Sequence, residues 1–85
     1  MNAPILPQPL PPRLTPPLAA EYLTVAHGVP VATKTLAKFR SQGGGPRFAK
    51  FGARRVLYAV ADLDAWAAEK LGATFGNTAE ADNAV

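Results

Sequence analysis

From Leu14 to Leu71 the spacing of apolar residues changes from helical to extended and back to helical. Leu18, Tyr22 and Ala26 recur at four-residue spacing with Ala19 and Leu23 beside them, which predicts a helix over residues 16 to 27. Thr15 before Pro16 and Pro17 reads as its start: a hydroxyl N-cap, then prolines where backbone N–H groups would lack partners anyway. Gly28 can take the left-handed turn that ends a helix, and Pro30 prevents continuation. A second helix is predicted over 33 to 42, with Ala32 or Thr33 as its cap. Its apolar side is narrow (Ala32, Leu36, Phe39), its opposite side carries Lys34, Lys38 and Ser41, and Arg40 lies nearer the apolar edge.

Gly43, Gly44, Gly45 and Pro46 stop that helix. Strand-forming residues follow in two runs, Phe48 to Phe51 and Val56 to Tyr58, joined by "GARR" with Gly52 able to adopt positive φ. The pair reads as a β-hairpin with Arg54 and Arg55 at its tip. Phe48 and Phe51 fall on opposite faces of a regular strand, so either a bulge intervenes or one face stays half exposed. A third helix is predicted over 61 to 71. Its stripe is Val60, Leu63, Trp66, Ala67 and Leu71, and Asp62 and Asp64 sit in the first turn where the helix dipole favours them.

The ends have no such period. Seven of the nine prolines fall in the first seventeen residues, so residues 1–13 are read as a Pro-rich disordered arm. Residues 72–85 mix small and acidic side chains and read as a flexible tail. About 58 of the 85 residues (14–71) remain to build one small domain, near the lower limit for folding alone.

The formal net charge of +3 conceals a segregation of sign. Residues 33–55 hold seven cations (Lys34, Lys38, Arg40, Arg47, Lys50, Arg54, Arg55) and no acid, whereas residues 56–85 hold five acids and one lysine. With no cysteine, a disulfide framework and a thiolate metal site are excluded. Neither a signal peptide nor an apolar run of the ~18 residues needed to span a bilayer is visible, so a soluble, cytoplasmic chain is expected.

Candidate chemistry is sparse. One histidine, His27, one serine, Ser41, and no cysteine leave no convincing nucleophile–base set, and His27 reads as a surface or capping residue. "GGGPRFAKFG" lacks the spacing of a phosphate-binding loop and leads into a strand. Tyr22 and Trp66 read as core, and Asp62 and Asp64 as helix-terminus charges. No enzyme activity, metal or cofactor is expected.

The order helix, turn, helix, hairpin, helix is that of a small α+β winged helix-turn-helix: two helices, a two-stranded β-hairpin wing and a closing helix, with disordered tails. A basic second helix suits the major groove, about 12 Å wide. Arginines at a wing tip suit a narrow, electronegative minor groove.

Residues 14–71 resemble the excisionase and AlpA-like winged helix-turn-helix proteins, related to the N-terminal domain of MerR regulators. The resemblance lies in "LTPPLAAEYL", similar to the opening helix, "TKTLAKFR", similar to the recognition helix, "GGGPRFAKFG", similar to the approach to the wing, and "RRVLYAVADLDAWA", similar to the return strand and closing helix. It implies that Thr33, Lys34, Thr35, Lys38 and Ser41 face the major groove, and that Arg40, Arg47, Lys50, Arg54 and Arg55 form the flank and wing contacts. It implies a core of Leu18, Tyr22, Leu23, Leu36, Phe39, Leu57, Leu63 and Trp66. "TVAHGVPVA" is longer than the family's tight turn, which bears on the angle of the second helix.

The implied function is that of a recombination directionality factor in bacteria. Such a protein binds and bends attachment-site DNA on the nucleoid, so that an integrase partner excises a mobile element. Copies would associate head to tail, since the chain offers no long helix for a MerR-type coiled-coil dimer. An AlpA- or MerR-like transcriptional regulator is the alternative within DNA binding. A protein–protein adaptor is the alternative from another class.

Overall fold

The computed structural model describes residues 6–72 and 74–83, which form four helices and a three-stranded antiparallel sheet. Parts of the expected arm (residues 1–5) and tail (73, 84 and 85) lie outside the described residues. The chain runs β1 (Arg13–Leu14), α1 (Pro16–Ala26), α2 (Thr33–Gln42), β2 (Ala49–Phe51), β3 (Arg55–Ala59), α3 (Val60–Leu71) and α4 (Thr78–Asn83).

Both ends of the first two helices follow from local chemistry, with one correction. Thr15 is the N-cap of α1 in extended conformation, yet its hydroxyl makes no cap bond. Pro16 and Pro17 occupy the first two helical positions and have no N–H to offer, so the expected hydroxyl cap loses one of its usual donors. The Thr15 carbonyl instead accepts the Ala19 N–H at 2.7 Å. At the other end Gly28 adopts φ 67°, and the Val29 N–H returns to the Leu23 carbonyl at 2.9 Å. Helix α2 spans the predicted residues with Ala32 as N-cap, and ends at Gly43, φ 90°.

The expected two-stranded hairpin is a three-stranded sheet in the order β1-β3-β2. Arg13 pairs with Ala59 and Leu14 with Tyr58, so the end of the Pro-rich arm is bound into the fold. Proline tolerates this position because the sheet edge uses its carbonyl: Pro12 O accepts the Val60 N–H at 2.9 Å. That bond satisfies the first N–H of α3, which starts one residue earlier than the sequence predicts. In the tail, Asn77 Oδ1 accepts the Glu80 N–H and the Glu80 carboxylate accepts the Gly76 N–H. This reciprocal capping starts α4 where the sequence shows no periodicity.

Leu14, Leu23, Leu36, Tyr58 and Leu63 are the largest fully buried side chains, with Ala19, Ala20, Trp66 and Ala67 completing the core. Leu18, Tyr22 and Phe39 pack half-buried against it. Leu57, expected in the core, is only half-buried and lies outside it. The pairing of Leu14 with Tyr58 aims Tyr58 inward, and strand alternation then turns Leu57 to the other face. The same alternation answers the Phe48–Phe51 question. β2 and β3 pair without a bulge, Phe48 lies beside Tyr58 with ring centroids 6.2 Å apart, and Phe51 is left exposed opposite Arg55.

The glycine run is a packing device as well as a stop. A Cβ at Gly45 would lie 2.4 Å from the Phe39 Cβ, so the backbone can pass there only without a side chain. Trp66 Nε1 donates to the Gly44 carbonyl at 2.9 Å and its ring meets Phe39 edge-on, centroids 5.8 Å apart. α3 thereby holds the connection between α2 and the hairpin.

Candidate nucleic-acid interface

Helix α2 separates its faces as its sequence predicts. Leu36 is its one buried side chain, while Lys34, Lys38 and Ser41 are exposed on the opposite side, Thr33 is exposed at the helix start and Thr35 is half-buried at the border. The three-residue loop Gly52–Ala53–Arg54 joins β2 to β3, with Gly52 at φ 76°. Arg47, Lys50, Arg54 and Arg55 are all exposed. The register divides them. Lys50, opposite Val56, shares the ribbon face toward the core, and Arg55, opposite Phe51, lies on the other.

Arg40 behaves differently from its neighbours. It is half-buried, and Nη1 donates to the Tyr58 hydroxyl at 2.7 Å, with the guanidinium carbon 6.0 Å from the ring centroid. It therefore braces α2 against β3, consistent with its position at the apolar edge of the helix. A guanidinium has five N–H donors, so this bond leaves others available. Arg40 also lines a cleft of about 260 Å³ with Thr15, Pro16, Arg54, Arg55 and Val56. The start of α1, the end of α2 and the β3 side of the hairpin thus border one cleft whose lining includes three arginines.

Among the described residues the one ion pair within 4.0 Å is His27–Asp64. None of the seven cations between Lys34 and Arg55 is neutralised by a carboxylate there. An unpaired basic surface of this kind attracts polyanions at long range and loses that attraction in salt. No helix among the described residues is long and apolar enough to cross a membrane.

No family model matches the chain, and no curated protein matches its sequence.

One polar cluster has no counterpart in the sequence pattern. Asp64 Oδ1 accepts the Tyr22 hydroxyl at 2.6 Å and pairs with His27 Nε2 at 2.7 Å. An ionised carboxylate only accepts, so Nε2 is the protonated nitrogen. His27 is the C-cap of α1 and its ring meets Tyr22 edge-on, centroids 5.5 Å apart. The cluster ties the end of α1 to the start of α3, and Asp64 is thus more than a dipole-compensating charge. Its partners lie 42 and 37 residues away, so no local spacing signals it.

The hydrogen bond from Tyr22, and then that from His27, hold the Asp64 carboxyl below its ordinary pKa. The bond to Asp64, then burial, then the Asp64 charge push the Tyr22 hydroxyl from 10.0 up to about 12. For Asp64 the folded chain favours the ionised form. Its contribution to stability is complete above the unfolded pKa and is lost as pH falls through the lower folded value. For Tyr22 the folded chain favours the neutral phenol, so its contribution is complete below pH 10.0 and is lost as pH rises toward about 12. Tyr22→Phe should let the Asp64 pKa rise, read by NMR titration of its carboxyl carbon, and should cost about 1 kcal/mol or less because the pair is partly solvated. An unchanged Asp64 titration would show that the bond does not form in solution.

Proposed function

We propose that the protein is a winged helix-turn-helix DNA-binding protein of the excisionase type, which binds and bends attachment-site DNA so that an integrase excises a mobile element. The observation that carries the DNA reading is that the cations of α2 and the hairpin have no described carboxylate partner, three of them lining one cleft. Duplex DNA is the polyanion with grooves that suit both elements at once. The order α1, α2, hairpin, α3 and the resemblance in "TKTLAKFR" and "RRVLYAVADLDAWA" support the winged form.

In this reading α2 enters the major groove and presents Thr33, Lys34, Thr35, Lys38 and Ser41 to base edges. The hairpin is the wing. Arg54 and Arg55 reach the backbone or the adjacent minor groove, Arg47 and Lys50 flank them, and Arg40 offers its remaining donors to a phosphate in the cleft. The protein performs no chemistry on DNA. Its copies lie head to tail along the site, and the bend they impose changes which recombination product the integrase makes.

Titrating the chain onto duplex DNA at several salt concentrations tests the contact surface. About 4–6 phosphate contacts per copy give a slope of log affinity against log salt of roughly −4 to −5. An affinity indifferent to salt would sink the reading. Genome-wide occupancy in the native host then separates its variants. Tandem peaks at an attachment site beside an integrase gene support excision, and peaks confined to promoters replace it with transcriptional regulation. No enrichment of a folded, expressed protein turns the reading to a protein–protein adaptor.

A further inference from the structure

Phe51 ends β2 with 68% of its surface exposed, more than any other large apolar residue among those described. The register sets it directly opposite Arg55, and Arg54 closes the loop between them. Gly52 and Ala53, the other loop residues, carry nothing larger than a methyl group, so no bulky side chain stands between the ring and the tip. Phe48, three residues earlier, packs beside Tyr58. Phe51 has no aromatic partner and no place in the core.

Resting on the DNA-binding reading above, we propose that Phe51 is a wedge that enters the minor groove and partly unstacks one base step. Two cations flank the ring, Arg55 opposite it in register and Arg54 in the adjoining loop. An apolar protein surface would have to desolvate those charges, whereas a groove walled by phosphates and floored by base edges accepts both the charges and the ring. The arginines hold the backbone on either side of the step, and the ring stacks where the bases part. Apolar wedges of this kind kink the duplex by about 20–90° toward the major groove. Pyrimidine–purine steps unstack most easily, so Phe51 confers a sequence preference without a hydrogen bond to any base. The bend attributed to the protein thereby acquires a single side chain as its source.

The test uses the full chain and a duplex recovered by selection from a random-sequence pool, with 2-aminopurine placed in turn at each pyrimidine–purine step and fluorophores at the ends. Wild type should raise 2-aminopurine fluorescence at one step and increase end-to-end energy transfer. Phe51→Ala should abolish both and weaken affinity for that duplex about tenfold, with the salt slope and the circular-dichroism spectrum unchanged. Phe51→Leu, still apolar, should restore most of the bend. If Phe51→Ala at full occupancy keeps the unstacking and the bend, the wedge is overturned while DNA binding stands. The proposal also falls if that variant keeps the wild-type bend at one site but loses cooperativity between adjacent sites, because the ring then contacts a second copy. A wild-type chain that binds no duplex removes the DNA reading itself, and the wedge with it.

Discussion

Leu36→Ala should bring the domain close to the edge of stability at room temperature. Leu36 is fully buried and is the one buried side chain of α2, whose outer face is committed to polar and charged residues. Truncating a buried leucine costs about 2–5 kcal/mol, from lost transfer energy and the cavity left behind. Some 58 ordered residues at roughly 0.05–0.15 kcal/mol each hold about 3–9 kcal/mol in total, so this single change is comparable with the whole. Phe39 and Arg40 cannot replace the anchor, since both are only half-buried. Thermal and urea denaturation followed by circular dichroism reads the effect, with Ala37→Ser on the exposed face as a control expected within about 0.5 kcal/mol of wild type. On the proposed DNA-binding reading, duplex DNA at a hundredfold excess over its dissociation constant should return about 2.7 kcal/mol through binding to the folded form alone. A Leu36→Ala chain as stable as wild type would mean that α2 is held by other contacts.

If the chain binds DNA as proposed, the double substitution Arg54→Ala and Arg55→Ala should weaken that binding by about a hundredfold at low salt, roughly tenfold for each charge-assisted hydrogen bond to phosphate that is removed. Both residues are exposed and unpaired with any described carboxylate, so folding should be unaffected. The weakening should fall evenly on all duplex sequences, because backbone contacts position a protein without reading bases. It should also make the salt slope shallower by about 2, near 0.9 for each phosphate no longer neutralised. Lys34→Ala or Lys38→Ala should act differently and alter sequence preference, a base-specific contact being worth about 1–3 kcal/mol. Fluorescence anisotropy against a selected duplex and a scrambled one separates the two patterns. A sequence-selective effect from the hairpin pair and a uniform one from the lysines would exchange the roles assigned to wing and helix.

The basic surface and the cluster around Asp64 differ in how far the sequence reveals them. Lys34, Lys38 and Ser41 were legible because helical periodicity places them opposite Leu36, and exposure on a short helix follows from that alone. Arg54 was legible because a loop bounded by two strand-forming runs must be at the surface, whereas Arg55, read as part of the same loop, opens β3 and pairs with Phe51. Arg40 was half legible. Its place at the apolar edge showed that it would not project like Lys38, and the partner that holds it, Tyr58, belongs to another element. Tyr22, His27 and Asp64 had separate and ordinary readings until the packing of α1 against α3 put two donors on one carboxylate oxygen.

By itself the sequence determined the elements whose signals are local: the bounds of α2, the stop at Gly43, the hairpin with a charged tip, the stripe of α3 and the segregation of basic from acidic residues. Helix periodicity, turn chemistry and charge act within a few residues, so a linear reading captures them. The tertiary structure alone decided that Leu14 completes the sheet, that Tyr58 rather than Leu57 faces the core, that Phe51 stays in water opposite Arg55 and that Arg40 joins the hairpin arginines at one cleft. Each of those depends on strand register or on which helix faces which. A two-residue strand has no period of its own, and its pairing is selected by the burial that the whole domain gains when Leu14 and Tyr58 come together.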